Sequence, residues 1–359
     1  MAMMSDAVAS PHQYLQAQIR WRWIEAVFWA ATLLPFVLTP NYLVLASQIA
    51  ISALFALSLD LILGYAGSVS LGHAAFFGVG AYTAGIISKP WEIDLFGDVI
   101  HWPGWGEPIT GLFIAGFAAG IVGYLMSLII ARFRHLTLIM LTLGLGLLLF
   151  EVANKASWLT GGADGLQGVK IWPVFGRFQF DLWGYTSYAY SLAILFVFFL
   201  VCRRLTNSPF GLSLRGIREN LTRMRAIGAE SRSHLRTIYT ISAAIAGVAG
   251  AALTQTSSTA ALSYIDFQRS ADVLVMLVLG GAGRLYGGII GAIIFLVARD
   301  QFSGINPQYW YFPIGVLLIT VVLFLPNGIM GGLNRLVESN RLPQGLRRLV
   351  SMTVRRGAT

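Results

Sequence analysis

Asp60-Leu61-Ile62-Leu63-Gly64-Tyr65-Ala66-Gly67-Ser68-Val69-Ser70-Leu71-Gly72-His73-Ala74-Ala75-Phe76-Phe77-Gly78-Val79-Gly80-Ala81-Tyr82 sets one acid, one imidazole and a run of glycines between two apolar segments. Glycine removes side-chain bulk and lets the backbone bend or approach a neighbour closely. Ser68/Gly72 and Ala74/Gly78 fit the small-xxx-small spacing that lets membrane helices pack backbone to backbone. Non-helical backbone at membrane depth survives only inside protein or against a water-filled cavity, because hydrocarbon satisfies no N–H or C=O group. The stretch is therefore a candidate lining for a pathway, with Asp60, Gly64, Gly67, Ser70, Gly72 and His73 as its gating candidates.

Around it, the 359-residue chain is 56% hydrophobic and 11% charged, with a mean hydropathy of +0.68. A water-soluble domain of this size has nowhere to hide so much apolar surface. Repeated apolar runs near bilayer length mark an all-α polytopic membrane protein. The runs are too long for barrel strands and lack their alternation. A single cysteine, Cys202, excludes an internal disulfide framework and any CxxC metal site. Set in an apolar run beside Arg203, it reads as a small buried side chain. Most arginines behind the net charge of +9 flank apolar runs, the pattern of cytoplasmic loops and not of nucleic-acid binding. Residues 1–23 do not read as a cleavable signal: Arg20 and Arg22 directly precede the first apolar run, and no small-residue cleavage site follows a short apolar core.

Apolar runs are expected at Ile24–Thr39, Tyr42–Leu63, Leu71–Ser88, Thr110–Ala131, Leu136–Val152, Thr186–Cys202, Thr237–Gln255, Ala271–Gly281, Gly287–Ala298 and Tyr309–Leu325, the last ended by Pro326. The loops Lys89–Ile109 and Ala153–Tyr185 are rich in tryptophan, and the first holds one lysine, which favours the outside. The turn Arg132–His135 and the stretch Arg203–Arg236, with eight arginines against Glu219 and Glu230, belong inside. Counting the halves around Arg284 as separate spans gives about ten crossings, with both termini cytoplasmic. A single helix there would put the basic tail outside, and a re-entrant pair is the other arrangement. The organisation is an N-terminal cytoplasmic segment 1–23, a transmembrane domain 24–332 with a cytoplasmic loop 203–236, and a basic cytoplasmic tail 333–359. Ala66-Gly67-Ser68 with Gly72 echoes Ala282-Gly283-Arg284 with Gly287 and Gly288. That is either an internal repeat with broken helices in matching positions or a chance match in a glycine-rich chain.

No phosphate-binding glycine loop, HExxH, GxSxG or clustered metal-ligand set occurs, so no catalytic or metal residue is assigned. Transport or channel activity remains. Ionisable groups near span ends are Asp60, His73, Glu151 and Asp272. Asp60 reads as a helix-end stabiliser or a pathway group, His73 as a packing or capping group or a substrate contact. Asp272, opening its run, reads as an acid at a helix N-terminus. Thr160-Gly161-Gly162-Ala163-Asp164-Gly165 is a polar glycine turn, an ordinary surface turn or an outer lip at a substrate entrance. After Ser208-Pro209-Phe210-Gly211, the positions Leu214, Ile217, Leu221 and Met224 follow helical spacing, which predicts a short amphipathic cytoplasmic helix stopped by Gly228. It would lie on anionic lipid or dock into a partner's groove.

Several motifs together resemble the LivM-type permease subunits of branched-chain amino-acid ABC importers. They are the opening stretch from Leu57 to Tyr82, Leu159–Leu166, Arg215–Asn220 followed by Ala226-Ile227-Gly228, Ser242–Gly250, Met276–Gly283 and Leu325–Ile329. The resemblance spans about Leu43 to Gly332. It implies a second, LivH-like permease, two cytoplasmic ATP-binding subunits that hydrolyse the ATP, and a periplasmic substrate-binding protein, with no cofactor in this chain. It implies a multi-pass protein of the bacterial inner membrane; the glycine-broken helices read from the residues, with Gly283 in the second glycine turn, are its candidate pathway lining. It further implies that Gly211–Gly228 contains the ATPase-coupling helix, with Gly211, Arg215, Arg218, Glu219, Asn220, Arg223 and Gly228 as its residues. Many relatives carry a small-residue pair where this chain has Arg223-Met224, which points to a partner ATPase with a matching acidic site. Permeases of this shape are similar to ones serving urea, short amides or aromatic acids. The rival from another class is an ion-coupled carrier or channel acting alone.

Overall fold

The computed structural model describes residues 23–332 apart from 96–97, 134, 182 and 326. The N-terminal segment up to residue 22, Pro326 and the basic tail from residue 333 lie outside the described residues. The first apolar run is not one regular helix. It forms α1 (Trp23–Ala31) and a single turn, Pro35–Leu38, separated by i→i+3 bonds from Leu33 and Leu34 to Ala30 and Ala31. Pro35 lacks the N–H that would extend the α1 ladder.

Next comes α2 (Leu43–Asp60), in which every residue from Ala50 to Asp60 is buried. A helix apolar on all sides belongs at the centre of a bundle, and α2 lies there. It runs on through a π-helical turn, Leu61–Tyr65. The chain then leaves the helix and returns as α3 (Ala74–Ser88). Two expectations are corrected here. The third helix starts at Ala74, not Leu71, and Ser68/Gly72 is not a helix face. Gly72 instead presses irregular backbone against a neighbouring helix, α5 (His135–Lys155): an added Cβ would sit 2.0 Å from the Thr142 carbonyl.

Between α3 and α4 (Pro108–Ile130) the loop holds a two-stranded antiparallel ribbon, β1 (Trp91–Leu95) and β2 (Asp98–Trp102), in register from Trp91↔Trp102 to Leu95↔Asp98. The helices α6 (Tyr185–Thr206), α7 (Pro209–Glu219), α8 (Leu221–Ala226) and α9 (Ser231–Ser257) follow. The chain closes with α10 (Phe267–Gly280), α11 (Leu285–Ile305) and α12 (Tyr311–Phe324). Residues 271–298 therefore belong to two helices that meet at Gly281–Arg284, and α11 is a full-length helix. Among the described residues, seven helical stretches are long and apolar enough to cross a bilayer, and Glu25–Leu38 and Ala74–Ser88 are shorter apolar helices.

The expected close-packing face of α9 is present. Ala243 lies against Gly123 of α4, Gly247 against Gly80 of α3, and Gly250 against the Phe77 carbonyl. The contacts run from Gly111 with Gln255 to Gly123 with Ala243, so α4 and α9 are antiparallel. In lipid no hydrophobic force drives helices together, and backbone-to-backbone van der Waals contact of this kind holds them. Cys202 is fully buried, as its setting suggested. Among the described residues, α5 and α12 stand largely uncovered: α12 has one buried residue, Ile314, and α5 has four.

Candidate functional site

The site is a junction at the basic end of the bundle. Ser208 builds its first part: its hydroxyl caps α7 by accepting from the Gly211 N–H at 3.3 Å, and Pro209 follows at the first helical position. Leu214 and Ile217 bury the apolar face of α7. The predicted single helix through Met224 is in fact two. Asn220 is extended at φ −153° and ψ 98°, and its side-chain oxygen accepts from the Arg223 N–H at 3.0 Å to start α8. A side chain that caps a new helix competes with continuation of the old one. Leu221 and Met224 are only half-buried, and the Met224 sulfur rests on Gly216. Gly228, at φ +88°, follows α8 as the expected stop. Glu219 and Arg223 are exposed.

The other face of α7 reaches the break in the central helix. The Arg215 guanidinium lies 5.2 Å from the centre of the Tyr65 ring. The Arg218 Nη1 donates to the Gly64 carbonyl oxygen. A π turn followed by irregular chain leaves carbonyls without their usual helical partners, and a charge-assisted bond is a strong replacement. Asp60 is fully buried, and its Oδ1 accepts from the Gly283 N–H at 2.6 Å. The two glycine turns that looked alike in sequence are thus in contact. Gly64 has no room for a side chain, since a Cβ would lie 2.0 Å from Asp60 Oδ1 and 2.3 Å from Gly283 N. Gly67 is left-handed at φ +70°, where L side chains are strained, and the Arg218 stem covers it.

The irregular segment 67–73 is satisfied by side chains from four helices. The Tyr239 hydroxyl donates to Ser70 Oγ at 3.0 Å, and the Leu71 N–H donates to Thr142 Oγ1 at 3.2 Å. The Ala74 N–H donates to Ser270 Oγ at 2.9 Å. His73 Nε2 is 2.9 Å from Ser58 Oγ, and Ser242 donates to the Ser58 carbonyl. This is how broken backbone is tolerated at membrane depth. His73 is fully buried and stacks on Phe55 at 5.5 Å, so it faces protein. Beside the segment lies a cavity of about 490 Å³ bordered by Gly67, Ser68, Val69, Arg218 and Tyr239.

The remaining candidates sit elsewhere. Gly161 and Gly162 are left-handed, Asp164 is exposed, and Gly165 backs onto the Ala260 carbonyl. The turn is pinned at the far end of α9 by the short strand pair β3 (Leu166–Gln167) and β4 (Thr259–Ala260). Glu151 pairs with Lys155 at 3.3 Å on the exposed side of α5. Asp272 does not open its helix: it lies in the second turn of α10, and its Oδ1 accepts from Gln268 Nε2 at 2.9 Å. Among the described residues no group of three or more His, Cys, Asp or Glu is placed to hold a metal ion. Tyr239, Ser58, Thr142, Ser242 and Ser270 complete the junction without having stood out in the sequence.

A bundle of membrane-length helices around a polar, protein-lined break defines a multi-pass membrane protein of the permease type. The chain belongs to the family described as branched-chain amino acid transport system / permease component, whose profile matches residues 41–322. It is similar to the high-affinity branched-chain amino acid transport system permease protein LivM of Escherichia coli (strain K12), at 27% identity over 328 residues, 86% of this chain and 73% of that protein. A probable LivM of Methanocaldococcus jannaschii is 27% identical over 317 residues, 77% of this chain and 89% of that protein. The LivH permease protein of Escherichia coli (strain K12) is 26% identical over 296 residues, 78% of this chain and 91% of that protein. No solved structure matches the chain.

Proposed function

We propose that this chain is the LivM-type membrane subunit of an ABC importer for branched-chain amino acids in a bacterial inner membrane. The observation that carries the reading is the bond from Arg218 of α7 to Gly64. An amphipathic helix at the basic end grips the break in the central span, so a push on one is felt by the other. In this reading the chain crosses the membrane about ten times, as the sequence pattern implies. The basic loop and both termini are cytoplasmic.

The partners are a LivH-like second permease, two cytoplasmic ATP-binding subunits and a periplasmic binding protein; this chain transports and leaves ATP hydrolysis to its partners. A loaded binding protein docks on the outer loops, and ATP closes the ATPase pair against Gly211–Gly228. Arg215 and Arg218 carry that motion to Gly64 and Tyr65, and Asp60 carries it on to Gly283. The broken segments from Gly64 to His73 and at Gly283 then exchange inward and outward access. Gly161, Gly162, Asp164 and Gly165 form the outer lip.

The test is affinity purification of the tagged chain from mild detergent, followed by reconstitution. A second permease and two ATPases that co-purify, and that import leucine only with ATP and the binding protein, support the reading. Transport by the chain alone without ATP sinks it in favour of an ion-coupled carrier. Import of urea, amides or aromatic acids in place of leucine redirects the substrate.

A further inference from the structure

At the end of the bundle opposite the junction, a polar cavity of about 270 Å³ opens between α2, α9, α10 and α11. Its charged lining is Arg269, Arg299 and Asp300, with Gln48, Ser257 and Ser303 near them. The Arg269 guanidinium lies 5.0 Å from the Phe77 ring centre, and that of Arg299 lies 5.0 Å from Trp310. Among the described residues neither guanidinium has an ion-pair or hydrogen-bond partner. Asp272, the acid of α10, accepts from Gln268 and lies within electrostatic reach of both guanidiniums without bonding either.

A guanidinium carries five N–H donors in a fixed fork and suits a carboxylate. Within a membrane span such a cation is rare, and by default it marks a functional site. Lying over an aromatic face steadies each arginine without engaging the N–H donors in the guanidinium plane. Through Arg269 the cavity is linked to the layer that backs the broken segment, since Phe77, beneath that guanidinium, stands 4.7 Å from Phe55, which stacks on His73 at 5.5 Å. Asp300 supplies the opposite sign, and the lining as a whole matches a zwitterion.

We infer that this cavity is a carboxylate-binding site, with Arg269 and Arg299 as the donors, at the outer entrance of the transport route. The inference rests on the import reading, which puts this end of the bundle outside. The carboxylate comes either from the free amino acid or from an acidic side chain of the docked binding protein.

Ser257→Cys supplies the probe, because Ser257 is exposed at the cavity and the only native cysteine, Cys202, is fully buried. The assembled complex in detergent is labelled with a maleimide. Millimolar leucine should slow labelling several-fold, leucinamide, which lacks the carboxylate, should not, and Arg299→Gln should remove the protection. Protection by the leucine-loaded binding protein alone, lost in Arg269→Gln and Arg299→Gln, also supports the site and assigns the carboxylate to that protein. Equal labelling rates under every condition overturn the inference. The complex without Ser257→Cys, reconstituted into proteoliposomes, is assayed for ATP-driven leucine uptake. Uptake without protection sinks this inference alone, whereas absence of uptake sinks the import reading.

Discussion

Asp60 and Gly283 stand 223 positions apart in the chain, and the amide of the second donates to the carboxylate of the first at 2.6 Å. The bond fastens the end of α2 to the turn between α10 and α11. Asp60→Ala removes the acceptor of a half-buried N–H, and a hydrogen bond to a charged group is worth about 1.5–3 kcal/mol. Its melting temperature in detergent should fall and leucine uptake with it, whereas Asp60→Asn, which keeps an acceptor oxygen, should retain most of both. Wild-type melting in the alanine variant would show that the bond does not hold the junction.

Arg218 should matter for coupling more than for assembly. Arg218→Gln replaces a charged donor, and hydrogen bonds to charged groups are worth about 1.5–3 kcal/mol, or roughly tenfold and upward in rate if the bond acts at the rate-limiting step. Uptake in proteoliposomes should drop by that factor while the complex still elutes intact. Gly228→Val, which forces a β-branched residue into left-handed backbone, should give the same split. Dissociation of the complex in both would make the segment structural.

The contact of Gly80 with Gly247 is a steric prediction. A Cβ on Gly80 would sit 2.0 Å from the Gly247 carbonyl oxygen, while one on Gly144 would meet nothing within 4 Å. Gly80→Ala should therefore reduce the yield of monodisperse protein sharply, and Gly144→Ala should not. Size-exclusion profiles of the two variants, expressed side by side, decide it.

Glu25 and Arg203 tie α1 to α6 through an ion pair whose side chains are 18% and 9% exposed. Removing one member of so buried a pair takes away a charge-assisted bond, at about 1.5–3 kcal/mol. Glu25→Leu should lower the melting temperature, and pairing it with Arg203→Met should recover much of the loss. A double variant no better than the single would show that Arg203 depends on other partners.

The sequence made half of the junction legible. Asp60, Gly64 and Gly67 break an apolar run, and the arginines around α7 stand out by charge, so both halves could be named as candidates. Their meeting could not, because a contact across 223 residues leaves no local pattern. The split at Asn220 was hidden for a related reason. The apolar spacing Leu214, Ile217, Leu221, Met224 is helical throughout, and only the extended Asn220 backbone shows that capping won over continuation. Ser58, Thr142, Ser242 and Ser270 are single hydroxyls on apolar helices, and such residues often bond to their own helix. That Ser58 reaches His73, Thr142 reaches Leu71, Ser270 reaches Ala74 and Ser242 reaches the Ser58 carbonyl follows from packing. The ribbon β1–β2 was missed because tryptophan and acids in a loop signal exposure before they signal a strand.

The π turn at Leu61–Tyr65 carries a last consequence. An i→i+5 ladder takes one residue more per turn than the i→i+4 ladder around it. In genetic terms the turn is a one-codon insertion kept in frame. Deleting a single codon between Leu61 and Leu63 would barely alter composition, yet it would rotate the upstream helix by about 100° relative to Gly64 and carry Asp60 away from Gly283. Substitution scans keep the residue count and so pass over this property. At this point the chain depends on how many residues it has as much as on which they are, and a deletion scan is the instrument that reads the number.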